Sequence, residues 1–447
     1  MESHLRERTD EHSQCCVNAN EDDVATDRTN VLNYVESDCI AEESSDDELY
    51  YVISDYKAAE DNQLDLRQGQ EVTVLERVNE KWWWVESEGR VGYSPANHLS
   101  LLDQCDDRWQ DDEYFSSYSS LKLHLEMLSD KPRTEAYKTA IETAACFIKD
   151  KVVLDFGAGT GILSLFCAKL GRARKVYAVE ASDIAQQARS IIERNGLREV
   201  VSIVQCRGEE LELPEKVDLI VSEWMGTMLI FELMIESVLQ VRDRYLKPGG
   251  LMWPSHAQLL LVPCTAEQVH HEKVAFWERV YGFDFSPLVP LAQSELLGRP
   301  IFNHSLDRQD CLSEPCTVMS LSMGHMSVED LERNESNFSF KITKPGTLHG
   351  FGSWFDVTFG GVSSSSGYDP VTLSTSPSNQ QTHWKQDLLV IDCPLEVVTG
   401  DTIEGRISIT RNKIWRRHLK IDVEYKHFSG KAQETSATYN KSFKLWR

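Results

Sequence analysis

Basic residues are in short supply: 46 Lys and Arg stand against 71 Asp and Glu, a formal net charge of −25 over 447 residues. A chain of that sign lacks the phosphate-neutralising surface of a direct nucleic-acid binder and instead attracts basic protein segments. No apolar run approaches the roughly 20 residues of a membrane-spanning helix, and no cationic start leads into an apolar core as in a signal peptide. The 11 cysteines are scattered, with Cys15 and Cys16 adjacent and Cys311 and Cys316 in a loop-like segment. None has the paired CxxC spacing with histidines that a zinc site requires. Reduced thiols, no metal, no membrane and a nuclear or cytosolic location are therefore expected.

With 41% hydrophobic residues the 447-residue chain can hold packed cores, about three domains in all. Residues 1–48 are rich in Asp, Glu, Ser and Asn with few aromatics, which reads as a disordered acidic tail. The stretch VLDFGAGTGIL (153–163) runs from apolar residues through Asp155 into Gly157, Gly159 and Gly161, and then into a helix-like LSLFCAKLG. That is a strand, a tight turn whose glycines admit a ligand close to the backbone, and a helix start. The next strand, KVYAVE, ends on Glu180, at about the spacing where an acid takes ribose hydroxyls. The third glycine comes one residue too early for a pyrophosphate fingerprint, and no lysine follows to cradle phosphates. Asp155 and Glu180 would repel phosphate and favour a cationic nucleoside, so S-adenosylmethionine fits best.

SEWMGTMLIFE (222–232) places Glu223 and Glu232 around a turn at Gly226 in otherwise apolar surroundings. Two acids so placed raise each other's pKa unless a cation sits between them. A guanidinium, planar and permanently charged, suits the pair through bidentate hydrogen bonds, so the loop reads as an arginine clamp.

From about 113 to 447 the chain resembles the protein arginine methyltransferases. The resemblance rests on YFSSYSSLKLHLEMLSDKPRTEAY (114–137), the stretch from SEWMG to Glu232, LKPGGLMWP (246–254) and QTHWKQ (381–386). It implies that Arg133 pairs with the cofactor carboxylate, that Tyr118, His124, Met127 and Gly157 line the cofactor site, that Glu180 holds the ribose and that Glu209 faces the adenine. Alone, Arg133 would be a surface arginine, His124 a core histidine and Glu209 half of a solvated acidic turn; the resemblance selects them. Asp130 and His383 match positions the family pairs near the site, as a proton relay or as an architectural link. Met127 and Met234 match methionines of the asymmetric-dimethylating branch, and Trp384 falls beside the substrate. Phe231 replaces a tyrosine common among relatives and Ser116 replaces an acid, two departures that bear on turnover.

Between about 49 and 103, the runs VISDY, EVTVLERV and KWWWVESEG alternate with polar turns, as in a small antiparallel barrel. This region resembles an SH3 domain through Asp55-Tyr56, the acidic Glu60 and Asp61, the tryptophans from Trp82 and GYSPANH (92–98). Alternation along a strand separates Trp82 and Trp84 from Trp83, so at least one tryptophan should be exposed. With Tyr56, Pro95 and His98 it would form a groove for proline-rich ligands; the alternative is a module that only packs on the catalytic part. Ser54 and His98 stand where aromatic residues are usual.

The expected architecture is α/β plus all-β. An SH3 small β-barrel (49–103) precedes a linker and cofactor-covering helices (104–150), a Rossmann-like S-adenosylmethionine-binding domain (151–254) and an antiparallel β-barrel (255–447). Strand signals in the last are NFSFKIT, GSWFDVTF, DLLVIDCP, ISITRN and KIDVEY. VHHEKVAFWERVYGFDF (269–285) has helical apolar spacing and resembles the family's dimerisation arm, at about 265–290, which implies a homodimer; the alternative is a buried intramolecular helix. The serine run 363–366 reads as a flexible loop. The expected function is mono- and asymmetric dimethylation of arginine in histones and other basic nuclear proteins, with proline-rich partners recruited for transcriptional regulation in nucleus and cytoplasm. The alternative is a weakly active adaptor that keeps its cofactor site.

Overall fold

A computed structural model describes residues 49–60, 62–67, 70–87, 89–101, 108–360, 369–412, 415–430 and 435–445. The acidic tail, Asp61, the stretch 102–107 and the serine run lie outside the described residues. Strands β1 (Leu49–Val52), β2 (Glu71–Glu76), β3 (Trp82–Ser87), β4 (Arg90–Pro95) and β5 (Leu99–Leu101) form one antiparallel sheet in the order β4-β3-β2-β1-β5. Its small core is Tyr50, Val52, Leu64, Leu66, Val72, Val85 and Leu99. Alternation does separate the tryptophans, but all three are half-buried, against the expectation of an exposed one. The reason is aromatic cover on both faces: Trp82 stands edge-on to Tyr56 at 6.0 Å and Trp84 to Tyr93 at 4.8 Å, while Trp83 meets Tyr50 at 5.1 Å under the Arg77 guanidinium.

Helices α1 (Arg108–Tyr118), α2 (Leu121–Ser129), α3 (Lys131–Thr143) and α4 (Ala145–Ile148) follow. Their starts are written locally. Ser120 accepts from the Lys122 N–H to open α2, and Asp130 accepts from the Arg133 N–H to open α3, with Pro132 in the first turn where its missing N–H costs nothing. The Rossmann-like unit comprises β6 (Val152–Phe156), α5 (Ile162–Lys169), β7 (Lys175–Glu180), α6 (Ala185–Arg194), β8 (Val201–Gln205), β9 (Val217–Ser222), α7 (Met234–Tyr245) and β10 (Leu246–Trp253). Its parallel sheet has the order β10-β9-β6-β7-β8. β6 is buried along its whole length, the pattern of a strand covered by helices on both faces. The strand order reverses between β6 and β9, and a ligand crevice belongs at the carboxyl ends of the strands beside that switch point.

Beyond Pro254 come β11 (His256–Cys264), α8 (Glu267–Lys273), the two-residue strands β12 (Arg279–Val280) and β13 (Phe283–Asp284), α9 (Val289–Leu296), β14 (Ile301–His304), β15 (Cys316–Ser322), β16 (Arg333–Lys341), β17 (Gly346–Phe359), β18 (Val371–Ser374), β19 (Gln386–Val397), β20 (Thr402–Arg411), β21 (Leu419–Phe428) and β22 (Thr435–Leu445). Apart from the two-stranded pair β12-β13, they make two antiparallel sheets, β14-β19-β17-β11-β15 with β18 on β17, and β16-β20-β21-β22. β15 lies beside β16 and β19 beside β22, which closes the sheets into the barrel expected from the strand signals. Cys316, read as loop-like, begins β15.

The arm differs from its apolar spacing. Residues 269–285 are not one helix: α8 ends at Lys273, a 3₁₀ turn follows, and Tyr281 and Gly282 at φ 51° and 90° reverse the chain between β12 and β13. A single helix would bury its stripe; this hairpin leaves Tyr281 97% and Phe283 70% exposed.

One continuous core runs through the Rossmann-like unit and the barrel, from Tyr137 and Val153 past Trp253 to Phe351 and Tyr425. Arg242 of α7 adds a polar lock, donating to the carbonyls of Met323 and Met326 at 2.8 and 2.7 Å. Arg242→Ala leaves two buried carbonyls unbonded. It is expected to lower unfolding stability by about 2–4 kcal/mol in denaturant titration, with Arg242→Lys intermediate.

Candidate active site

A cavity of about 610 Å³ opens where the ends of β6, β7 and β9 meet α1, α2 and the barrel. The glycines after β6 make its floor. Gly157 and Gly159 have φ of 76° and 55°, and a Cβ on Gly157 would stand 2.3 Å from Met234 Cε, one on Gly159 3.2 Å from His124 Cε1. Only glycine lets the backbone sit this close to the cavity wall. Glu180, at the end of β7, is locked in place: Oε2 accepts from the Gly159 N–H at 2.8 Å and Oε1 from the Ser182 N–H and hydroxyl at 2.8 and 2.6 Å. His124 is 2% exposed, its Nε2 2.8 Å from the Tyr118 carbonyl.

The two clamp glutamates reach the same cavity, and each already has a partner. Arg133 donates through Nη2 and Nε to Glu223 Oε2 at 2.8 and 3.1 Å and through Nη1 to the Met127 carbonyl at 3.2 Å. Burial works against the Arg133 charge, but Glu223 outweighs it and holds the guanidinium's pKa above its ordinary value. Glu223 thus accepts a guanidinium in this structure, through one oxygen, and the other oxygen is left for a second donor. The Tyr118 hydroxyl donates to Glu232 Oε2 at 3.1 Å; burial, then Tyr114 and Glu232, push that phenol well above its ordinary pKa, so it remains a donor.

The hairpin between these glutamates is unusual in its backbone. Met228, Leu229, Glu232 and Leu233 all have left-handed φ, 49°, 69°, 72° and 54°, at a cost of about 1–2 kcal/mol for each non-glycine residue. Contacts from the barrel hold it: Asp387 of β19 accepts from the Met228 N–H at 2.7 Å, and Arg417 donates to the Glu232 carbonyl at 2.5 Å. Burial pushes the Asp387 carboxyl up to about 7, only partly offset by the Met228 bond.

His383 and Asp130 are joined as expected for either of their readings. Asp130 Oδ2 accepts from the His383 N–H at 2.8 Å and lies 2.6 Å from ring Nδ1, a pairing that does not engage Nε2. Burial pushes Asp130 up, but the His383 side chain and the N–H groups of Arg133 and His383 prevail and hold its carboxyl below the usual range. Since Asp130 also caps α3, one carboxylate both fixes the helix bearing Arg133 and ties it to the barrel loop. The His383 ring lies 4.0 Å from Trp384.

Of the residues singled out from the sequence, Tyr118, His124, Met127, Arg133, Gly157, Gly159, Glu180, Glu209, Glu223, Glu232, Met234, His383 and Trp384 line this cavity. Asp155 does not. It is fully buried within β6, bonded to the Ser164 hydroxyl at 2.6 Å with its other oxygen unpartnered, and burial raises it to about 7. Gly161 caps α5 behind the wall, and Asp130 acts only through its neighbours. Sequence reasoning missed Asp387 and Arg417. The trace of Asp387 was an acid heading the apolar run DLLVI, a charge that a buried strand tolerates only with a partner; Arg417 stood in a basic cluster that reads as surface. In the small barrel, Tyr56 lies 5.4 Å from His98, whose Nδ1 is 2.8 Å from the Ser54 hydroxyl, while Pro95, opposite Trp82 in register, is buried.

Fold and cavity together define a Rossmann-like methyltransferase joined to a barrel. Residues 153–250 match the family described as a methyltransferase domain, 255–430 the arginine methyltransferase oligomerization subdomain and 51–96 the SH3 domain. The chain is 44% identical over 411 residues to protein arginine N-methyltransferase 2 of Homo sapiens, covering 91% of this chain and 94% of that one. It is 48% identical over 382 residues to protein arginine N-methyltransferase 2 of Xenopus tropicalis, covering 84% and 88%. Among solved structures it resembles the Trypanosoma brucei arginine methyltransferase enzyme–prozyme heterotetramer with AdoHcy, at TM-score 0.68 and 35% identity, over 74% of this chain and 100% of that one. It also resembles Arabidopsis thaliana protein arginine methyltransferase 10, at 0.67 and 31%, over 74% and 99%. The chain belongs to the protein arginine N-methyltransferase family, carries an SH3 domain, and uses S-adenosylmethionine as cofactor. The cavity fits that group: glycine backbone beneath it, acids at the ends of two strands and one buried arginine in reach.

Asp387 gives a pH test. Its raised carboxyl stabilises the fold while neutral, so this contribution is present at acid pH and is lost as pH rises through about 7. Asp387→Asn keeps an acceptor for Met228. In denaturant titrations its gap to the wild type should be smallest near pH 4, widen steadily as pH rises to 7 and reach on the order of 2–4 kcal/mol above pH 8; a gap that does not change with pH would contradict the burial argument.

Proposed function

We propose that the chain makes mono- and asymmetric dimethylarginine in histones and other basic nuclear proteins, acting in nucleus and cytoplasm in transcriptional regulation. The observation that carries this reading is the pair of half-buried glutamates facing one cavity, one of them already holding a guanidinium at 2.8 Å. S-adenosylmethionine, when bound, supplies an electrophilic methyl group. Arg133, His124, Glu180 and Glu209 would orient it over the glycine floor. Glu223 and Glu232 would grip the substrate guanidinium and draw its positive charge toward the nitrogens they bind, leaving the third nitrogen with more lone-pair character. Alignment and exclusion of water then carry most of the rate. The proton released would pass to His383 Nε2, backed by Asp130, or to water. Met127 and Met234 would set the room beside an already methylated nitrogen and so favour the asymmetric product.

Two further parts of the reading concern partners. Tyr56, Trp82 and His98 would offer proline-rich segments a groove, with the Ser54–His98 bond making one pocket polar. Homodimer formation is supported by the exposed Tyr281 and Phe283 of the arm and by Leu121 and Leu125 of α2, which are 72% and 66% exposed.

Mass spectrometry of an arginine-rich histone-tail peptide incubated with the protein and S-adenosylmethionine tests the product. Asymmetric dimethylarginine is expected from the wild type and at least 100-fold less from Glu232→Gln, with S-adenosylhomocysteine binding retained. Symmetric product, or an active Glu232→Gln, would sink the reading.

A further inference from the structure

Arg417 lies in the connection between β20 and β21, far in sequence from either glutamate, yet it touches both the clamp and the helix that covers the cavity. Its Nη1 donates to the Glu232 carbonyl at 2.5 Å. Its Nη2 and Nε both donate to Asp111 Oδ1 of α1, at 2.6 and 2.9 Å. The same guanidinium lies over the Tyr114 ring at 4.1 Å. One planar fork therefore joins α1, whose Asp111, Tyr114, Phe115 and Tyr118 form a wall of the cavity, to the backbone of a glutamate held at φ 72°. α1 reaches that glutamate a second way, through the Tyr118 hydroxyl on its carboxylate at 3.1 Å. Both ends of the Glu232 residue, carbonyl and carboxylate, are thus tied to the covering helix.

We propose that Arg417 is a positioning residue that makes the orientation of Glu232 depend on α1 being packed over the cofactor cavity, so that the clamp is complete only when the cavity is covered. The inference rests on the reading of Glu232 as a substrate-binding group. Arg417 touches no reacting atom in it. A fork is required because three partners, a carbonyl, a carboxylate and a ring face, are met at once in fixed directions; a lysine ammonium lacks that geometry.

The test is a double-mutant cycle on the full chain with Arg417→Ala, Asp111→Asn and the pair, measuring kcat and KM for an arginine peptide at saturating S-adenosylmethionine, S-adenosylhomocysteine affinity by calorimetry, and Tm. Arg417→Ala is expected to lower kcat about tenfold or more with Tm lowered by only about 2–4 °C. Asp111→Asn should also lower kcat, although Asp111 does not contact Glu232, and the double variant should be little worse than Arg417→Ala alone. Arg417→Lys should recover only part of the loss. Full kcat in Asp111→Asn, or strictly additive losses, would overturn the coupling. An inactive Glu232→Gln beside a fully active Arg417→Ala would refute the role of Arg417 and leave the clamp standing, whereas an active Glu232→Gln would remove the clamp itself.

Discussion

The ion pair between Arg133 and Glu223 fixes the centre of this molecule. Glu223 sits in an apolar hairpin with its side chain 9% exposed, and Arg133 meets it at 2.8 Å from the first turn of α3. A charge so buried needs a partner, and removing either member would leave the other uncompensated. The rest of the site follows from meeting the same requirement for each neighbouring acid. Asp130 is held by His383 and by the helix it caps, Glu180 by the glycine turn and Ser182, and Glu232 by the Tyr118 hydroxyl. The carboxylates are each met by donors and aimed, which is what a site for a cationic cofactor and a guanidinium requires.

The same pair resolves an apparent conflict of roles. Arg133 is suited to a cofactor carboxylate and Glu223 to a substrate guanidinium, yet here they bind each other. Both contacts fall on Oε2 of Glu223, so one oxygen stays open to a second donor while Arg133 remains anchored to the Met127 carbonyl. The barrel, for its part, does more than cover the site. Asp387 and Arg417 reach across to a hairpin whose left-handed residues could not hold their shape unaided.

Much of this was legible in the residues. The glycine turn with Glu180 and the paired glutamates are local patterns, and local patterns survive folding. Contacts made between distant segments were not legible: Asp387 to Met228 and Arg417 to Glu232 join chain positions that no periodicity relates. Asp155 shows the opposite error. Its place beside the glycine turn suggested a ligand contact, but in a fully buried parallel strand its side chain points behind the sheet to Ser164. The arm misled by composition, since helical spacing over 269–285 continued through a glycine turn that ends the helix. The tryptophan run misled because alternation separates the rings by face but says nothing of the aromatic neighbours that cover each face.

The most direct measurement on the clamp is calorimetric titration of the S-adenosylhomocysteine-loaded protein with an arginine peptide, its lysine counterpart, and the arginine peptide again in Glu223→Gln. Binding of arginine over lysine by at least tenfold, lost in Glu223→Gln while S-adenosylhomocysteine still binds, is the expected result. Equal binding of the two peptides, or undiminished arginine binding in Glu223→Gln, would contradict a guanidinium site built on these glutamates.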